Sequence, residues 1–148
     1  MEIVVREAKS KDSASVVQLI NEMASLGNGQ SPITEEYVNE YLASSVSRIL
    51  LAEIQGQVVG LLSYSIRPDL YHAANSCLIE EIIVQESSRS QGVGSVLFAE
   101  LFSRLEAHRC AEVSLAVMPD NTQAIRFYRT HGLTEEALFL EKHFGGLS

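Results

Sequence analysis

Between Val84 and Leu105 the chain reads VQESSRSQGVGSVLFAELFSRL. An apolar, β-branched run ends at Val84 and a polar loop follows. A helical stripe then begins at Gly92, with Val93, Val96, Leu97, Leu101, Phe102 and Leu105 on one side. A strand that feeds a helix through a short loop commits the chain to packed α/β layers, because both elements must bury one face in a common core. Two glycines, Gly92 and Gly94, stand where that helix starts. First-turn N–H groups have no intrahelical partners, and the helix dipole adds partial positive charge there. Without Cβ atoms at these positions, phosphate oxygens can approach the bare amides. The same glycines would also let a helix pack tightly on a sheet, and an R-x-x-G-x-G pattern alone does not choose between the two.

The rest of the chain supplies the other elements. EIVVRE at the start reads as a strand, and Asp12 is placed to cap a helix carrying Val16, Val17, Ile20, Met23 and Ala24. GNGQSP breaks it, and Thr34 caps a short helix with Tyr37, Val38, Tyr41 and Leu42 on one face. RILLAEI and VVGLLSYSI, joined at Gln55-Gly56, form a β-hairpin, and CLIEEIIV is a strand after the loop RPDLYHAANS. EVSLAVM is a further strand. A helix begins at Asp120 or Asn121, turns Ala124, Ile125, Phe127 and Tyr128 inward, and stops at Gly132. EEALFLEKHF provides one or two final strands. The expected fold is α/β, with a mixed, mostly antiparallel central sheet of six to seven strands flanked by about four helices.

At 148 residues, with no repeat or linker, a single domain over 1–148 is expected. No apolar run reaches the roughly 18 residues of a membrane span, and the N-terminus lacks a signal-peptide pattern. Cys77 and Cys110 have no metal-type spacing, and reduced thiols in a cytoplasm are expected. His72, His108, His131 and His143 are scattered, so no metal site is expected. A net charge of −8 argues against a nucleic-acid partner and is compatible with a cationic substrate.

RSQGVG (Arg89 to Gly94) resembles the acyl-CoA loop of the GNAT N-acetyltransferase superfamily, R/Q-x-x-G-x-G/A, which likewise opens a helix after a strand. Downstream, NTQAIRFYRTHGL resembles that family's N-x-x-A-x-x-F-Y-x-x-x-G-F segment at Asn121, Ala124, Phe127, Tyr128 and Gly132. The element order fits over nearly the whole chain, least so in residues 8 to 47. Leu133 stands where the family usually has phenylalanine, and Ser90 where glycine is common. Neither departure removes a backbone donor.

The resemblance implies acetyl-CoA as cosubstrate, with Arg89, Ser90, Gln91, Gly92, Val93, Gly94 and Ser95 as its pyrophosphate loop. It implies that the backbone of Ile82, Ile83 and Val84 pairs with the pantetheine amides like an added strand, which needs a locally unpaired strand edge. Asn121 is implied as a polar contact to the cofactor arm, and is equally placed to cap its helix. Tyr128 occupies the family's general-acid position, protonating the departing thiolate, although by itself it also reads as a core aromatic. Arg126 and Arg129 are candidates to meet a cofactor phosphate.

Acetylating an amine requires a neutral nitrogen. For an alkyl ammonium of pKa ~10.4, deprotonation at pH 7 costs roughly 4.6 kcal/mol, and a nearby carboxylate can take the proton. Glu80 and Glu81 are side by side in an apolar strand, and simple alternation sends them to opposite faces. Glu80 stands where polyamine-acetylating relatives carry their catalytic glutamate. Direct attack of a primary amine on the thioester is preferred to a cysteine-bound intermediate, since no motif activates either thiol. The acceptor is expected to be an amine of a small molecule, with a protein amine as the other possibility, and a homodimer is a family-level expectation. A non-catalytic acyl-CoA sensor and a plain interaction domain are the alternatives.

Overall fold

The computed structural model describes residues 2–145. In chain order the elements are β1 (Ile3–Glu7), α1 (Ser13–Leu26), α2 (Glu35–Ala43), β2 (Ser47–Ile54), β3 (Gln57–Asp69), β4 (Ala74–Val84), α3 (Val93–Ala107), β5 (Cys110–Leu115) and α4 (Thr122–Thr130). The strands form one sheet in the order β1-β2-β3-β4-β5. Every pair is antiparallel except β4–β5, which is parallel and requires the α3 crossover.

Alternation in the apolar runs feeds two cores. Leu50, Leu62, Tyr64, Cys77 and Ile79 face α3, meeting Leu97, Phe98 and Leu101. Ile49, Leu51, Leu61 and Ile83 face α1 and α2, meeting Val16, Leu19 and Val38. With both faces covered, the central strands read as almost continuous apolar runs.

Thr34 caps α2 as its position predicts, its Oγ1 accepting from Tyr37 N–H at 3.1 Å. Asp12 does not cap α1. Its carboxylate instead accepts two bonds of 2.8 Å from the Arg6 guanidinium and one from Lys9 N–H. The ion pair holds the Asp12 carboxyl down at about 2 and ties the start of α1 to β1.

The sheet has five strands among the described residues, not six to seven. The expected C-terminal strands over EEALFLEKHF are absent from it, and residues 133–144 carry no regular structure. Leu138 and Leu140 are 90% and 88% exposed. A strand is stable only beside a neighbour, and alternation in a sequence does not supply one.

Candidate active site

The loop from β4 into α3 curls through two left-handed residues, Ser90 at φ 65° and Gly92 at φ 84°. Gly92 is the helix N-cap, and the first α-helical bond runs from Val96 N–H to its carbonyl at 3.1 Å. The amides of Val93, Gly94 and Ser95 come before any carbonyl the helix can offer them. A Cβ built on Gly92 would touch nothing within 4 Å, so its own packing does not demand a bare backbone there. Its positive φ does favour glycine, and the space beside it is open. Gly94 differs. A Cβ there would lie 3.0 Å from the Phe127 ring, so this glycine lets α4 pack on the start of α3. One glycine therefore leaves room outside the chain, and the other accommodates the chain itself.

Other loop residues divide in the same way. Arg89 Nε donates to Val84 O at 3.2 Å and Gln91 Nε2 to Ser87 O at 3.4 Å, which folds the loop back on the strand end. Val93 is buried in the α3 core, leaving only its amide for a ligand. Ser90 and Ser95 are exposed.

On the sheet, β5 pairs with β4 only from Asn75↔Cys110 to Ile79↔Leu115. β3 stays paired with β4 to Gly60↔Val84. From Glu80 to Val84, β4 therefore has one partnered edge and one open edge, and the open edge carries the backbone of Ile82, Ile83 and Val84. It leads directly to the amides of the α3 N-terminus. The Val84 carbonyl is already taken by Arg89 Nε, so the backbone groups left to a ligand's amides and pyrophosphate are the rest of that edge and the first-turn amides of α3.

The two glutamates lie where that edge opens. Ser63 pairs with Glu81 and Tyr64 with Ile79, which leaves Glu80 as the extra residue of a β-bulge. The bulge re-phases the strand. Cys77 and Ile79 before it, and Ile82 and Val84 after it, all pack toward α3, whereas Ile83 packs toward α1 and α2. Glu80 and Glu81 are thereby left together on the α1/α2 face, correcting the expectation from alternation that they diverge. Glu80 is exposed. Glu81 is half-buried, and its carboxyl is pushed above the ordinary carboxylate range, first by burial and further by the charge of Glu80. The hydroxyl of Ser63 donates to it and opposes that rise.

Tyr41 on α2 closes this side. Its hydroxyl is buried without a hydrogen-bond partner. Burial raises its pKa, and the charges of both Glu80 and Glu81 raise it further, so the phenol keeps its proton. Neither Tyr41 nor Ser63 stood out in the sequence as chemical. Tyr41 reads as part of an apolar helix face, and Ser63 is one of three hydroxyl residues in the run LLSYS with nothing to single it out.

Tyr128 lies on α4 with its ring edge-on to Phe98 at 6.0 Å, and burial raises the pKa of its phenol. Asn121 caps α4, its Oδ1 accepting from Ala124 N–H at 3.2 Å. Arg129 is committed to Thr134 O and the Glu136 carboxylate, while Arg126 is exposed. Burial pushes the Cys77 thiol up to about 12, so it is not a poised nucleophile. His72 is bonded to Asp69 in the β3–β4 turn, beyond the start of β4 at Ala74, which is itself roughly 20 Å of strand rise from Glu80.

The chain is similar to the thialysine N-epsilon-acetyltransferase of Sus scrofa, with 26% identity over 141 residues, covering 88% of this chain and 83% of that protein. In fold it is similar to a transcriptional regulator from Bacillus halodurans C-125, with TM-score 0.85 and 24% identity, over 97% of this chain and all of that one. It is also similar in fold to an aminoglycoside acetyltransferase from an uncultured soil metagenomic sample, in complex with sisomicin. That likeness has TM-score 0.82 and 17% identity, over 96% of this chain and 95% of that one. The model of the acetyltransferase (GNAT) family matches residues 15–133. The chain therefore belongs to the GNAT family and is an N-acetyltransferase.

Proposed function

We propose that the whole chain is one domain that transfers acetyl from acetyl-CoA to a primary amine of a small cationic molecule, by direct attack of the amine. The observation that carries this is the coincidence at Glu80: β4 loses its β5 neighbour and bulges at the same residue. The open edge for a cofactor arm thus begins where two carboxylates meet on the other face.

Acetyl-CoA supplies an activated acyl group as a thioester. The backbone of Ile82 to Val84 holds the amides of its arm, and the amides from Gln91 to Ser95, helped by the α3 dipole, hold its pyrophosphate. Arg89 acts by holding the loop onto Val84. Asn121 holds the start of α4. Glu80, exposed at the bulge, takes the proton from the acceptor ammonium, directly or through water. Glu81, held by Ser63, and the unpartnered hydroxyl of Tyr41 offer that ammonium negative charge and a hydrogen-bond partner. Tyr128, its proton retained by burial, donates to the departing sulfur.

Two carboxylates favour an acceptor with an extended cationic chain, and the similarity to thialysine acetyltransferases supports lysine-like amines and diamines before sugars. The test is thiol release from acetyl-CoA with thialysine, lysine, linear polyamines and aminoglycosides. Turnover should be highest with the flexible alkyl amines. Turnover of aminoglycosides alone would contradict the acceptor assignment.

A further inference from the structure

We propose that the Tyr41 hydroxyl makes the enzyme select primary over N-alkylated amines, by accepting the one N–H bond that the acceptor nitrogen keeps throughout the reaction. This rests on the proposed transfer of acetyl to an amine at Glu80, and specifies how that nitrogen is read.

By position Tyr41 is a core residue. Val38, Tyr41 and Leu42 line the side of α2 that packs on Ile49, Leu51, Leu61 and Ile83. A phenylalanine ring would fill the same place. Packing does not need the oxygen, which is buried and has no hydrogen-bond partner among the described residues. A buried polar group in that state costs stability, and native structures keep few of them.

The hydroxyl stands close to the chemistry. The charges of Glu80 and Glu81 reach it, and the hydroxyls of Ser47 and Ser63 lie nearby without pairing with it. Ser63 is taken up by Glu81, accepting from its N–H at 3.0 Å and donating to its carboxylate. Turned toward Ser47, the phenol proton leaves lone pairs on the oxygen that can accept an N–H.

Proton balance assigns the roles. A primary ammonium has three N–H bonds. One proton passes to Glu80 before attack. A second leaves the nitrogen as the C–N bond forms and the C–S bond breaks, balancing the proton that Tyr128 gives to the departing sulfur. The third stays on the product amide. Carboxylates suit the protons that leave. A phenol that keeps its own proton takes up no other, and suits the one that stays. In a secondary amine an alkyl group replaces that third N–H. It would meet the Tyr41 oxygen, leaving it unpaired and shielded from water, and an unpaired polar group rejects a substrate more strongly than size alone.

The test compares kcat/KM for 1,4-diaminobutane and its N,N′-dimethyl derivative, in the unaltered protein and in Tyr41→Phe. The unaltered protein should prefer the primary diamine by about 10²-fold or more. In the variant that ratio should fall about tenfold, because only the primary diamine loses a hydrogen bond. Acetyl-CoA affinity should be unchanged. Thermal unfolding should show the variant at least as stable as the unaltered protein, since the oxygen removed has no partner. An unchanged ratio overturns the inference, even where both rates fall, because a hydroxyl that only supports α2 or the carboxylates acts on both diamines alike. Equal turnover of the two diamines by the unaltered protein also overturns it. Turnover of neither diamine by the unaltered protein overturns the proposed acceptor class and this inference with it, so the two failures are told apart.

Discussion

The Ser63 hydroxyl holds Glu81 at two points, accepting from its backbone N–H at 3.0 Å and donating to its carboxylate. Burial nevertheless leaves the Glu81 carboxyl above its ordinary value of 4.5. The folded protein therefore binds this proton more tightly than the unfolded chain does. That contribution to stability is fully present below about pH 4.5 and is lost as pH rises through the folded value. Glu81→Gln removes the titration. Unfolding in denaturant from pH 4 to 8 should show the variant gaining on the unaltered protein as pH rises. A constant difference between the two would contradict the burial of this carboxylate.

Gly92 and Gly94 should separate under substitution. Gly92→Asn tolerates the left-handed φ and meets no neighbour, so it should cost under about 1 kcal/mol of stability. It should still abolish measurable acetyl-CoA binding in calorimetry, because its side chain enters the cradle. Gly94→Ala presses on Phe127 and should cost about 1 kcal/mol or more, with a smaller loss of affinity. Unchanged affinity in Gly92→Asn would show that the pyrophosphate lies elsewhere.

Asp12 ties the start of α1 to Arg6 on β1. Its carboxyl is held at about 2, so its contribution is present above the ordinary 3.8 and lost as pH falls through about 2. Asp12→Asn should lose about 2 kcal/mol at pH 7, in line with charged hydrogen bonds to a buried group. It should also flatten the acid limb of the stability profile. Equal stabilities at neutral pH would mean that the Arg6 pair contributes nothing.

Much of this arrangement is legible in the sequence. The caps at Thr34 and Asn121, the Gln55-Gly56 hairpin and the strand–loop–helix around Gly92 rest on local chemistry, which short stretches of sequence carry. The bulge at Glu80 does not, because it is set by register against β3, a relation between residues 18 positions apart at Ser63 and Glu81. Alternation read on one strand could only send the two glutamates apart. The C-terminal stretch shows the same limit: Leu138 and Leu140 have a strand's pattern, but a pattern does not supply a neighbour, and none pairs with them among the described residues. Asp12 has the composition of a cap and was claimed by a guanidinium on another element.

Tyr128 packs its ring against Phe98 with its phenol proton retained by burial. Tyr128→Phe should keep the ring contacts and acetyl-CoA affinity while lowering kcat by about 10²-fold, as for loss of a general acid. Single-turnover kinetics would check it. An unchanged chemical step would reduce Tyr128 to a core aromatic.

The most direct test of the account is the pH dependence of kcat/KM for Glu80→Gln with a primary alkyl amine, measured beside the unaltered protein. Glu80 supplies the proton acceptor that turns an ammonium into a nucleophile at neutral pH. The variant should therefore fall about 10²-fold short at pH 7, and the deficit should narrow toward pH 10 as the solution itself supplies neutral amine. Acetyl-CoA affinity should be unchanged. Equal rates at pH 7, or a deficit that stays constant with pH, would contradict the assignment of Glu80 as the base.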